Sequence, residues 1–510
     1  MSKSYLKFKQ KSSTVAFCLA LAVLVCPNVF VSAKTPNDAK YGLQESFYSQ
    51  IGAPAAWDIT TGSSSVVVAV IDVGVDITND DLKENIWQNQ KEISGNSIDD
   101  DGNGYVDDVH GWNFVENDND VGISVISVGD DSGAVSHGTI LAGLIGAVGD
   151  NNFLGTGLNW YIKIMPLRAI SSSGGGSLGD VANAIYYAVD NGADIISISF
   201  VGDKDDFNLQ ESLRFAHQRG VLVVAAAGNN RNDGTGNDNL SQNKQYPICS
   251  AFPGLEDWVL GVTSVDKDDR LSDFTNYGAC VDISAPGEYI FSTQRYAPEY
   301  GYLKNFDGPW FGSSFSAPLV AGAAALVKSV RPDWKAKEII LDLLSTADDI
   351  DSLNPGFVGQ IGYGRLNVGR AVVRALESKA AVVPPFVFES KLIKKVSSYF
   401  VRITSGGKVL HDLPLPGYVD QSTKWAVVED LLVSARLSYG KITVNAWDWA
   451  GNKKLSNFVL PGISNFYDLK IDTVWGHNPN AILYIKKAGD NQKIIIDLPS
   501  QSWKTEAWSR

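Results

Sequence analysis

Four short runs in the first half of the chain are apolar at nearly every position. Residues 65–72 read SVVVAVID, and residues 162–167, 193–199 and 221–227 share that texture. Side chains alternate faces along a strand, so a run is apolar throughout only when helices cover both faces of a parallel sheet. Between these runs, residues 179–191 and 206–219 space their apolar positions at helical intervals. Strands alternating with helices predict an α/β domain, a mostly parallel sheet flanked by helices, from Gly62 to about Leu376. Such sheets collect functional groups beyond the carboxyl ends of their strands. Asp72 closes one run, and Asn229 follows another.

Near Ala380 the texture changes. Val382-Val383-Pro384-Pro385 makes a stiff break, and hairpin-like alternation with turn signals follows, as at Ser405-Gly406-Gly407 and along residues 441–452. This predicts a C-terminal all-β domain over residues 380–510, expected to be a sandwich, after the α/β domain over residues 34–379. Trp447, Trp449 and Trp475 make it a candidate for binding a surface or partner, with core packing as their other role.

A length of 510 residues supports more than one domain, and 44% hydrophobic with 20% charged residues is a globular composition. Residues 1–33 stand apart. Lys3, Lys7, Lys9 and Lys11 precede an apolar run over residues 15–25, and Val31-Ser32-Ala33 offers a small-residue cleavage site. That is the layout of a secretory signal peptide, and the run is short of the roughly 20 residues a spanning helix needs. No later stretch reads as a membrane span, so no integral membrane segment is expected after cleavage. Losing four lysines and no acid makes the formal charge of −14 more negative still. An acidic surface argues against nucleic acid as partner. Of four cysteines, Cys249 and Cys280 remain after cleavage, and they pair if their Cα atoms come close enough.

Three residue types at element boundaries carry the chemistry. Asp72 ends its run just before Gly74, His137 stands in Ser136-His137-Gly138-Thr139 at the start of an apolar segment, and Ser314 follows Gly312-Ser313. Singly, each has an ordinary structural reading as a turn acid, a packed His or a helix cap. Jointly, an acid, a base and a hydroxyl in the order Asp, His, Ser match one of the known triad arrangements. A Ser hydroxyl is a weak nucleophile until an imidazole takes its proton, and a carboxylate fixes the imidazole tautomer. A helix starting near Ser314 would aim N–H groups at a developing oxyanion, and Asn229 is a candidate second donor.

The chain from Gly62 to about Leu376 resembles the subtilase (subtilisin-like, S8-type) peptidases. The likeness rests on Val70-Ile71-Asp72-Val73-Gly74-Val75-Asp76, on His137-Gly138-Thr139 with Ala142-Gly143, and on Gly312, Ser314, Ala317 and Pro318. Phe274-Thr275-Asn276-Tyr277-Gly278 and Ser284-Ala285-Pro286-Gly287 fit it too. The resemblance implies a secreted serine endopeptidase that cleaves protein or peptide substrates through an acyl-enzyme. It places substrate backbone between two edges, Gly174, Gly175 and Gly176 on one side and Ser199, Phe200 and Val201 on the other. Where the family usually has Gly, Val201 predicts a narrowed pocket for the residue before the scissile bond. Ile140 replaces a second His common in the His motif, and Ser313 and Phe315 replace the usual Thr and Met. Few residues separate Ala33 from the catalytic region, which leaves no room for a long inhibitory pro-domain.

Asp99-Asp100-Asp101-Gly102-Asn103-Gly104-Tyr105-Val106-Asp107 follows calcium-loop spacing, with Asp99, Asp101, Asn103 and Asp107 as oxygen ligands and no terminal Glu. By the resemblance, Asp81 and Asn152 match side-chain ligands of a second site. Calcium is expected to be structural. A triad alone also serves ester hydrolysis, and casein against nitrophenyl-ester turnover separates the two. A non-catalytic binding protein is disfavoured because all four catalytic side chains are present.

Overall fold

The computed structural model describes residues 34–122, 132–229, 238–250 and 259–378, and strand backbones between 386 and 507. The signal segment at residues 1–33, together with Trp449 and Trp475, lies outside the described residues. After helices α1 (Tyr41–Gln50) and α2 (Ala53–Trp57), the chain enters β1 (Gly62–Asp72). There follow β2 (Trp112–Asn113), α3 (Ser132–Gly146), β3 (Tyr161–Arg168), α4 (Leu178–Asp190) and β4 (Ile195–Ile198). Next come α5 (Phe207–Arg219), β5 (Leu222–Ala226), β6 (Val259–Val265) and β7 (Ile283–Pro286). A ribbon of β8 (Ile290–Thr293) and β9 (Phe306–Trp310) precedes α6 (Ser313–Val330), α7 (Ala336–Thr346) and α8 (Val368–Glu377).

Seven strands form one sheet in the order β2-β3-β1-β4-β5-β6-β7, and every pairing in it is parallel. The alternation of β1 shows why its sequence is apolar throughout. Val66, Val68 and Val70 join the core cluster that includes α3, α6 and α8, whereas Ala69, Ile71 and Val73 join the one that includes α4 and α5. Both faces are dry, so polar residues have no place along the strand until its end. The strand ends are in register: Ile71 sits opposite Ile198, which sits opposite Ala225, and Asp72 pairs with Arg168. The residues just past β1, β4 and β5 therefore emerge at one rim of the sheet.

One expectation is corrected here. α6 has 18 residues and is long and apolar enough to cross a bilayer, contrary to the view that no later stretch is. Its Leu319, Val320, Ala323, Ala324 and Leu326 are fully buried in the core cluster, so it is the central helix of a folded domain. Cys249 and Cys280 are joined in a disulfide, their Cα atoms 5.0 Å apart. Beyond residue 385 the described elements are strands, β10 (Phe386–Ile393), β11 (Ser398–Ser405), β12 (Lys408–Leu415), β13 (Thr423–Val428), β14 (Leu431–Ser438) and β15 (Lys441–Asp448), then five more to Ala507. They pair into a six-stranded and a five-stranded sheet.

Candidate active site

Asp72 is the last residue of β1 and 2% exposed. Its Oδ1 accepts from the Val73 N–H at 2.9 Å and lies 2.8 Å from His137 Nδ1. The sequence placed His137 at a helix start; α3 begins five residues earlier, at Ser132, so the imidazole projects from within the helix. Gly138 is what allows the approach. A Cβ there would lie 2.2 Å from the Gly74 carbonyl oxygen and 3.2 Å from Asp72 Cβ, so any side chain would push α3 off the end of β1. An ionised carboxylate only accepts, so Nδ1 carries the proton in this pair and Nε2 keeps the lone pair. Burial pulls the His137 pKa down, but the charge and hydrogen bond of Asp72 outweigh it and hold it above the ordinary imidazole value. The ring is 23% exposed and its centroid lies 5.9 Å from that of Phe315.

Ser314 occupies the first turn of α6, after Gly312 at φ +151°, a backbone conformation that side chains disfavour. First-turn N–H groups have no intrahelical acceptor, so the Ser314 N–H makes no bond within α6. The Ser314 hydroxyl donates to the Ser199 carbonyl at 2.9 Å, and the Ser199 hydroxyl returns a bond to the Ser314 carbonyl at 2.9 Å. Among the described residues it makes no bond to His137. Asn229 Oδ1 accepts from both the N–H and the hydroxyl of Ser313, at 2.8 and 3.0 Å. The Ser313 hydroxyl also accepts from the Gly228 N–H at 3.0 Å. With Oδ1 held this way, Asn229 Nδ2 lies on the Gly312 side, 3.1 Å from where a Cβ on Gly312 would be.

Sequence reasoning passed over Ser313 and Asn276 as site residues. Asn276 is fully buried, donates to the Ala227 carbonyl and Gln245 Oε1, and its N–H reaches the Gly228 carbonyl at 3.0 Å, bracing the turn that presents Asn229. Its signal was present in the Phe274-Thr275-Asn276-Tyr277-Gly278 segment.

The two supposed substrate edges differ. Phe200 and Val201 run on from β4, partly buried, with no backbone hydrogen bond among the described residues before Gly202 pairs with Tyr246. Val201 Cγ2 lies 2.9 Å from where a Cβ on Gly228 would be, so its side chain rests beside the Asn229 turn. Gly174, Gly175 and Gly176 are exposed and fold back on Ile170 and Ser171 as a tight hairpin beyond β3.

The residues read from sequence as calcium ligands do not all converge on one point. Glu92, Asp99 and Asp101 bring one carboxylate oxygen each within 4.8 Å of one another. Asn103 instead turns its carbonyl to the Tyr105 N–H and its amide to Asp108, and Asp107 accepts from the Asn96 and Ser97 N–H groups. Glu92 lies outside the alternating Asp pattern from which the sequence set was drawn. At the second place Asp81 is fully buried, and burial pushes its pKa up to about 6 despite donors from Asn151 and Gly155. Asn151, not Asn152, reaches Asp81 Oδ1, at 2.9 Å, while Asn152 is exposed at φ +60°. Asp38, also missed, is buried against the same loop and accepts from the Asp150 N–H at 2.7 Å.

Residues 63–364 match the family model described as the subtilase family, peptidase S8. The chain is 34% identical over 353 residues to a thermophilic serine proteinase of Bacillus sp. (strain AK1), covering 68% of this chain and 71% of that protein. It is 31% identical over 338 residues to thermitase of Thermoactinomyces vulgaris, covering 66% of this chain and 99% of thermitase. A solved protease of Pseudoalteromonas arctica PAMC 21717 superposes with a TM-score of 0.52 at 30% identity, over 67% of this chain and all of that one.

Proposed function

This chain belongs to the subtilase family and is a subtilisin-like serine endopeptidase, and from that premise we propose that Ser314, His137 and Asp72 are its nucleophile, base and orienting acid. The observation that carries the assignment is the 2.8 Å bond between Asp72 and His137 Nδ1, which leaves Nε2 as the basic atom beside α6. Rotation of the Ser314 hydroxyl from the Ser199 carbonyl to Nε2 starts the reaction. Oγ then bonds the substrate carbonyl carbon as its proton passes to His137. The carbonyl oxygen gains the charge and is held by Asn229 Nδ2 and the Ser314 N–H. His137 next gives that proton to the leaving nitrogen, the C–N bond breaks, and an ester to Ser314 remains. Water repeats the sequence on the ester and frees the acid.

Residues 34–379 form the peptidase domain in this reading. Ser199, Phe200 and Val201 are one wall for extended substrate and Gly174, Gly175 and Gly176 the other. The chain is secreted after removal of residues 1–33, and residues 380–510 are an all-β domain, a sandwich, suited to binding a surface or partner. Structural calcium fits two places. Three carboxylates converging within 4.8 Å are an all-oxygen set for a hard cation. Asp81 is fully buried and burial raises its pKa, so its charged form is costly there unless a cation sits beside it. Bound calcium would be that cation and would stabilise the fold. Glu92, Asp99 and Asp101 would hold one ion and Asp81 another.

A fluorophosphonate probe tests the nucleophile. Wild type is expected to be labelled covalently and Ser314→Ala to stay unlabelled. Equal labelling of the two would overturn the assignment.

A further inference from the structure

We propose that Tyr289 and Phe311 form an aromatic ledge that selects a bulky apolar side chain on the leaving-group side of the scissile bond. Two large rings stand in solvent beside the nucleophile turn: Tyr289 is 61% and Phe311 47% exposed, their centroids 4.9 Å apart in an edge-to-face arrangement. Phe311 directly precedes Gly312 and is three residues before Ser314. A single exposed ring is unremarked on most surfaces, whereas adjoining rings next to a reactive group mark a contact site. Tyr289 is also held at φ +54°, a conformation costly for a bulky residue. The surroundings enforce it: the Gly312 N–H bonds the Gly287 carbonyl at 2.8 Å, and Ile290 pairs with Trp310 across the β8–β9 ribbon.

The side of the bond served by the ledge follows from how the ribbon is docked. Ser292 Oγ donates to the Ile140 carbonyl and Thr293 Oγ1 to the Thr139 carbonyl, both at 2.8 Å. The ribbon is thus pinned to α3 one turn beyond His137. The segment Ser199-Phe200-Val201, by contrast, leaves from the sheet and is clamped to Ser314 by two hydrogen bonds. His137 delivers its proton to the departing nitrogen, so the departing chain runs along the side of the site that α3 occupies. Tyr289 and Phe311, on the ribbon attached to that helix, face this half of the substrate. The inference rests on the triad assignment above and adds a substrate preference to it.

Two internally quenched peptides identical up to the scissile bond test it, one with Phe and the other with Ser at both of the first two positions beyond. A peptide p-nitroanilide, which carries no amino acid on the leaving side, is assayed in parallel. Wild type is expected to favour the Phe peptide in kcat/KM by roughly three- to tenfold, as one aromatic contact allows. In Tyr289→Ser/Phe311→Ser the ratio is expected to fall toward one, and Phe311→Trp should retain it. Because the readout is a ratio of two substrates on one preparation, partial misfolding does not distort it. Phe311→Ser alone reads the same ratio if the double variant does not accumulate. A wild-type ratio near one, or a ratio unchanged in the variants, overturns the ledge while p-nitroanilide turnover leaves the triad standing. A wild type that fails to turn over the p-nitroanilide sinks the triad assignment and the ledge with it.

Discussion

The junction around His137 and the acidic loop around Asp101 are both dense in polar groups, yet they are organised differently. At the junction each polar group meets a partner brought from far along the chain. Asp72 meets His137, Asn229 meets Ser313, and Ser199 meets Ser314. These partners are placed by the parallel sheet and two helices. In the acidic loop most partners are local. Asp99 accepts from the Gly102, Asn103 and Gly104 N–H groups, and Glu92 from those of Asp100, Asp101 and Asp107. A loop of that kind satisfies its own carboxylates and leaves a few oxygens converging on one point. In the proposed reading the first region changes charge during a reaction and the second holds a fixed charge.

The largest effect expected from breaking this contrast is at Asp72. Asp72→Asn keeps the shape but removes the carboxylate charge and can turn an amide N–H toward Nδ1, which fixes the wrong His137 tautomer, and kcat should fall by about 10⁴, the loss known for serine peptidase triads. The pH profile adds a second readout. His137 must be neutral to act as base, and its pKa is held above the ordinary value by Asp72 against the opposing effect of burial. Wild-type activity should therefore fade, as pH is lowered, at a higher pH than an unperturbed imidazole would give. In Asp72→Asn burial acts unopposed, so the acid limb should move to lower pH. A limb that stays in place would remove His137 as the titrating base. The same raised pKa favours the folded state at acidic pH. That contribution is fully present below the unfolded value of about 6.5 and is lost as pH rises through the folded one.

A smaller loss is expected at Asn229. In subtilisin itself, removing the side-chain oxyanion donor costs about 10²–10³ in kcat, and that family precedent sets the scale here. Asn229→Ala should lower kcat with little change in KM, because the oxyanion exists only in the transition state. Ser313→Ala should give a milder loss of the same kind, since Ser313 holds Asn229 without touching substrate. A rise in KM at constant kcat would assign both residues to ground-state binding.

This division also separates what the sequence made legible from what it did not. Asp72 and Ser314 stand at element ends with a glycine two residues away, and their backbone positions follow from local rules and the strand–helix alternation. The extent of α3 before His137 did not follow, because Ser132-Gly133-Ala134 carries no apolar periodicity. Ser313 read as a neutral neighbour of the nucleophile; its link to Asn229 spans 84 residues and exists only once β5 and α6 meet. In the acidic loop, side chains follow turn geometry, which alternation in sequence does not encode. Asp107, at φ +55°, points to the Asn96 and Ser97 amides, and Glu92 reaches in from outside the pattern.

The smallest effect concerns that loop and discriminates the two ligand sets. Calcium that binds only the folded chain stabilises it by RT ln(1 + [L]/Kd), about 2.7 kcal/mol at a hundredfold excess over Kd. For a domain of this size that is worth roughly 5 °C in Tm, so EDTA should lower the calorimetric midpoint by about that much for each occupied site. Glu92→Gln weakens one converging oxygen and should shrink the EDTA-induced shift. Asp107→Asn should lower Tm with and without calcium alike, because its carboxylate holds two backbone N–H groups and not the ion. If Asp107→Asn shrinks the shift and Glu92→Gln does not, the alternating residues of the sequence are the ligands after all. In that case the loop rearranges on binding the ion, and the contrast with the junction at His137, whose partners are already in place, becomes sharper.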